Sequence, residues 1–297
     1  MADGEVTPDV ERPLLERIVN FPLVTMAIAV AIYLLAGTLA MIVGRFVEIG
    51  QPADTVADAA IAIILLLATY KIAIAGLGQR PRDELRARGL LPELGKGIAA
   101  GALLFSAVVG IAALLGVYHV TGRGSTHELL IPLVSSAILP AFAEELLFRG
   151  IVFRWIEELA GSWGALVISS ALFGLGHLLN PGATLFSSFA IAVEAGLLLG
   201  GTYMLTRSLW MPIGLHAAWN FTQGVIFGVP VSGGATSGLL RSALSGPELL
   251  SGGRFGLEGS VIALVICTAA GGWFVRLAVR RGQLVQPSWA RSGYRKL

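Results

Sequence analysis

The chain has 297 residues, of which 55% are hydrophobic and only 13% charged, and its mean hydropathy is +0.77. Ordinary soluble domains carry roughly 25% charged residues, so a soluble domain is excluded and a polytopic membrane protein is expected. A formal charge of +2 gives no reason to expect nucleic acid. The single cysteine, Cys267, allows neither an intramolecular disulfide nor a cysteine-based metal site.

Asp3, Glu5, Asp9, Glu11, Arg12, Glu16 and Arg17 precede a first apolar stretch, 18–44, that holds no charge. It is too long and wrongly flanked for a cleaved signal peptide and reads as an uncleaved anchor. With about 20 apolar residues needed per crossing, spans are expected near 21–44, 57–78, 97–118, 129–158, 163–180, 184–206, 209–228 and 258–279. The fold class is therefore all-α, with about eight transmembrane helices enclosing a polar site. The segments 79–96 and 229–257, the second rich in Gly and Ser, read as loops. No internal repeat and no separate soluble domain is evident. Sixteen Lys and Arg fall on one side of this topology and four on the other, which places both termini in the cytoplasm.

An ionisable group at membrane depth costs about 2.5–3.5 kcal/mol on insertion scales and normally faces a partner or a watery cavity. The candidates singled out within the apolar spans are Glu144, Glu145, Arg149, His177, Glu194 and His216, joined by the polar Asn220. In "AFAEELLFRG", Glu145 and Arg149 are i and i+4 and share a helix face, while Glu144 is turned about 100° away and is free for another partner. The bland alternative is a buried ion network that only locks helices together. If the chain turns near Gly161, Glu144 lies 17 residues before the turn and His177 lies 16 after it, so the two reach nearly the same depth on antiparallel neighbours. Arg154, Glu157 and Glu158 suggest that the tip of this hairpin protrudes into the cytoplasmic interface. His216 and Asn220, in "GLHAAWNF", again share a face, about 14–20 Å below the level of Arg207.

A carboxylate with a histidine can activate water, and a second histidine with an asparagine can stabilise an oxyanion. The same side chains allow a second chemistry, in which Glu144, His177 and His216 hold Zn²⁺ with an open position, although no H-E-x-x-H motif stands behind it. Glu194 could answer Arg149 or line the cavity.

The set "EELLFR", "FGLGH" and "HAAWN", with "TRSLWMPIGLH" before the last, resembles the CPBP family of CAAX proteases and bacteriocin-processing enzymes, also called Abi proteins or type II CAAX prenyl endopeptidases. The resemblance implies an eight-helix intramembrane endopeptidase whose catalytic core is 129–228, preceded by a tail and three helices in 1–128. A loop, a last helix and a basic tail follow in 229–297. Carried over by position, Glu144 and His177 would activate water and His216 and Asn220 would hold the oxyanion. Glu145, Arg149 and Phe173 match supporting positions. The family is labelled a metalloprotease, and a metal-free glutamate mechanism has also been argued for it. The expected partners are membrane lipid and a protein or peptide substrate, which the family's CAAX members take in prenylated form; immunity to self-made bacteriocins is another family role. Outside the family, intramembrane Glu, His, Arg and Asn also build ion-coupled transporters or serve a non-catalytic membrane scaffold.

Overall fold

The computed structural model describes residues 13–78, 80 and 82–291, and over these the chain is mainly helical. Asp3, Glu5, Asp9, Glu11, Arg12, Arg295 and Lys296, used above for the N-terminal reading and the charge bias, lie outside the described residues. A short α1 (Leu14–Val19) leads into α2 (Pro22–Gly44), α3 (Ala53–Thr69) with a π-helical continuation Tyr70–Ile74, and α4 (Leu90–Leu114). After α5 (Leu130–Pro132), a π-helical stretch Leu133–Ile138, α6 (Leu139–Glu145) and a second π-helical stretch Leu146–Phe153 run on into α7 (Arg154–His177). Then follow α8 (Leu185–Thr206), α9 (Trp210–Asn220) with its π-helical continuation Phe221–Ile226, α10 (Glu248–Ser251) and α11 (Val261–Arg280).

Six stretches among the described residues are long and apolar enough to cross a membrane, and the chain is an integral membrane protein. Two physical reasons separate this number from the eight spans expected. The expected spans 129–158 and 163–180 form one helical stretch, Leu130–His177, interrupted by non-helical backbone only at Gly161. The expected span 209–228 is made of the 11-residue α9 and its π-helical continuation, too short a helix to qualify by length. One departure from an all-α chain is an antiparallel pair, β1 (Tyr118–Arg123) with β2 (Leu240–Leu244), joining Tyr118 to Leu244 and Arg123 to Leu240 across two loops.

Gly161 has φ 73° and ψ 174°, a conformation that glycine alone adopts readily. A Cβ there would stand 2.8 Å from the Pro287 nitrogen and the Val285 carbonyl oxygen, because the C-terminal segment packs onto the break through Ser162 N–H to Val285 O, 2.9 Å. Arg154, Glu157 and Glu158, expected to protrude here, are buried instead. Charges this far from water need partners: Glu157 accepts from Arg207 at 2.6 Å, Ser162 at 2.6 Å and Arg82 at 3.2 Å, and Arg154 donates to the carbonyls of Ala75, Leu77 and Arg80. Gly161→Ala is expected to cost about 1–3 kcal/mol and to lower the melting point in detergent. Gly272→Ala, in open space on α11, should leave the melting point unchanged or raise it.

The central helix is α8. Two-thirds of its apolar window is buried, against a third or less in the other candidate spans, as expected of a helix that is apolar all round. α9 is pressed on α4 because Gly97 and Gly101 present no side chain there; a Cβ on either would run into the backbone of Met211 or Leu215. Phe105 meets Trp219 edge to face across the same contact, with ring centroids 4.9 Å apart. This close approach fixes the depth of His216 and Asn220.

Candidate active site

Motif by motif, the site is held by contacts between helices. α6 opens on Pro140, and the Tyr33 hydroxyl of α2 donates to the Ala143 carbonyl at 2.5 Å, anchoring the turn before Glu144. Beyond Glu145 the backbone loosens to π-helical pairing, a feature frequent at functional sites. Glu145 and Arg149 form the expected i,i+4 pair at 2.9 Å with both side chains buried, and the other terminal nitrogen of Arg149 donates to the Ala195 carbonyl of α8 at 2.7 Å. The guanidinium stands 5.0 Å from the centroid of Phe173, within cation–π range. Phe173 in turn stacks on His177 with centroids 4.5 Å apart. The supporting position Phe173 is thus a spacer between the cation of the first motif and the imidazole of the second.

Both histidines have one nitrogen committed. His177 Nδ1 lies 2.8 Å from the Phe173 carbonyl, which can only accept, so the ring donates from Nδ1 and, when neutral, keeps its lone pair on Nε2. His216 Nδ1 lies 3.0 Å from Glu145 Oε1, the same oxygen that accepts from Arg149. An ionised carboxylate accepts only, so His216 also donates from Nδ1 and turns Nε2 away, toward Glu144 Oε2 at 4.0 Å. Asn220 spends one amide hydrogen on the Ser136 carbonyl at 2.9 Å, in the π-helical stretch before α6.

His177, Glu194, His216 and Asn220 line one cavity, together with Ser232 and Glu258. Glu144 is not part of that lining. Glu144 approaches His216; among the described residues it shares no direct hydrogen bond or ion pair with His177, whose Nδ1 points back into its own helix. Glu194 does not answer Arg149, whose donors go to Glu145 and Ala195; it faces the cavity. The metal reading is not supported by the geometry. Among the described residues no group of three His, Cys, Asp or Glu side chains is placed to hold a metal ion, so Glu144, His177 and His216 do not form a ligand set and no step is routed through one.

Glu258 escaped the sequence reading. It stands in a 3-10 turn, Leu257–Gly259, just before α11, and its Oε1 accepts the backbone N–H of Ser232. Burial pushes its carboxyl up, opposed by the Ser232 N–H and by the charges of His177 and His216. The available signal was weak: a single acidic residue in "GRFGLEGS", directly after Leu257, which like Phe255 is fully buried.

Residues 125–222, about a third of the chain, match the family model described as Rce1-like, type II CAAX prenyl endopeptidase Rce1-like. No curated protein and no solved structure matches the chain. The match takes in Glu144, Glu145, Arg149, Phe173, His177, His216 and Asn220, and over this segment the chain is similar to the type II CAAX prenyl endopeptidases.

Proposed function

We propose that the protein is an intramembrane endopeptidase that hydrolyses a peptide bond in a protein or peptide substrate, with both termini cytoplasmic and about eight membrane crossings. The observation that carries this reading is the convergence of His177, His216 and Asn220 on one cavity, with His216 held by Glu145 and turned toward Glu144. Peptide hydrolysis needs a base for water, donors for the oxyanion and an acid for the leaving amine. Glu144 takes a proton from water as the water oxygen attacks the carbonyl carbon, and returns it to the amine nitrogen as the carbon–nitrogen bond breaks. His177 offers Nε2 to the second water hydrogen and orients the attack.

His216, as an imidazolium, donates from Nε2 to the oxyanion, and the second amide hydrogen of Asn220 supplies a further donor. The Glu145 carboxylate on Nδ1 stabilises that imidazolium, as the aspartate does in Ser-His-Asp sites. The 4.0 Å between Glu144 and His216 exceeds a direct hydrogen bond, yet lets both touch one tetrahedral centre.

The family's description makes a prenylated C-terminal peptide the first substrate to test. A quenched fluorescent farnesylated CAAX peptide, beside an unmodified peptide mixture analysed by mass spectrometry, should be cleaved by purified protein in detergent. A folded preparation that cleaves none of them would sink the reading.

A further inference from the structure

The cavity lining carries two carboxyl groups that the proposed mechanism does not use, Glu194 and Glu258. Glu194, on the central helix α8, is 4% exposed, and among the described residues its Oε1 has no hydrogen-bond partner. Glu258 is 3% exposed and is held by one backbone N–H. Both line the cavity that His177 and His216 reach.

The loop carrying Glu258 is built to hold it there. Phe255 and Leu257, just before Glu258, are buried in the core, Gly233 N–H bonds to the Phe255 carbonyl at 2.9 Å, and Gln223 on the third motif's π-helical continuation holds the Pro230 carbonyl at 2.5 Å. Ser232 adopts a left-handed φ of 48°, uncommon for a residue other than glycine, and gives its N–H to the carboxylate. Such strain persists where surrounding structure enforces it, and it clusters at functional sites.

Two buried carboxyl groups facing the same space favour a positively charged occupant. The two terminal nitrogens of Arg149 are taken by Glu145 and the Ala195 carbonyl rather than by either carboxyl group. No three-ligand metal set is present among the described residues. What enters this cavity is peptide substrate, if the endopeptidase reading on which this inference rests is right.

We propose that Glu194 and Glu258 form a subsite for a basic side chain, lysine or arginine, of the peptide substrate near its scissile bond. A carboxylate pair on this wall repels a C-terminal carboxylate, so the end of a CAAX-type peptide must lie away from it, or the preferred substrate is cut internally beside a basic residue.

The test uses two N-acetylated, C-amidated 15-residue apolar peptides that are identical except for a central lysine or norleucine. Binding to the detergent-solubilised protein is read by fluorescence anisotropy and cleavage by mass spectrometry, for the wild type, Glu194→Gln, Glu258→Gln and the double variant. The wild type should bind the lysine peptide about tenfold or more tightly than its twin, in line with a charge-assisted contact. The preference should shrink in each single variant and vanish in the double variant, with elution profile and melting point retained. Equal binding of both peptides by the wild type, or a preference that survives in the folded double variant, overturns the subsite. A lysine preference in binding without cleavage of either peptide would retain the subsite and count against the endopeptidase.

Discussion

Replacing Glu144 by alanine or glutamine is expected to reduce peptide cleavage by about 10³-fold or more while leaving the melting point close to that of the wild type. General-base catalysis contributes typically 10²–10⁴-fold, and neither replacement can take a proton from water. The fold should survive because Glu144 holds nothing together. Its side chain is 32% exposed, its Oε2 has no hydrogen-bond partner, and its approach to His216 is a loose 4.0 Å. Removing it therefore leaves no buried charge stranded, unlike the loss of its neighbour Glu145. Initial rates on the cleaved peptide, with melting curves on the same preparations, separate the competing readings. A scaffold predicts a lowered melting point and a transporter predicts lost proton-coupled flux. Cleavage by Glu144→Gln at the wild-type rate would remove Glu144 as the base.

The pairing of Glu145 with Arg149 was legible in the sequence because helix geometry alone decides it: four residues apart on one face, at a depth where neither charge can be left alone. The turn at Gly161 was legible for a similar reason, since a glycine inside a long apolar run marks where the backbone can break. What could not be read were contacts that depend on which helices meet. His216 reaches Glu145 across 71 positions of sequence and Asn220 reaches the Ser136 carbonyl across 84, and no local period encodes either. The same holds for Glu194, whose choice between Arg149 and the cavity is made by the Ala195 carbonyl taking the second guanidinium nitrogen.

One expectation failed for a physical reason that the chain itself supplies. Arg154, Glu157 and Glu158 looked like a solvated hairpin tip, yet the carbonyls of Ala75, Leu77 and Arg80, the side chains of Arg82 and Arg207 and the C-terminal segment provide the donors and acceptors that such charges need. The common depth expected of Glu144 and His177 leaves open the azimuth of each side chain around its helix. Stacking on Phe173 and the bond to its carbonyl turn the His177 ring. Glu258 was hidden for another reason: as the first residue of the expected last span, beside a Gly/Ser-rich loop, it read as a surface boundary, but Phe255 and Leu257 pull this boundary inward.

Arg149→Ala should be the most damaging single change in the core, costing about 3–5 kcal/mol, the range for breaking a buried ion pair by removing one partner. Arg149 is 1% exposed and Glu145 is fully buried, so the substitution leaves a carboxylate in a dry interior with only His216 Nδ1–H to solvate it. It also removes the cation over Phe173 and the link to the Ala195 carbonyl that ties the first motif to α8. The double variant Glu145→Gln/Arg149→Met removes both charges at similar volume, and such replacements are often neutral or stabilising; its melting point should recover most of the loss. Its activity should not recover, because His216 would lack the anion that supports an imidazolium during turnover. Melting curves and cleavage rates for the wild type, the single variant and the double variant test both statements together. Recovered stability with absent cleavage assigns the pair to orienting His216, whereas recovery of both would make it a structural lock with no part in the chemistry.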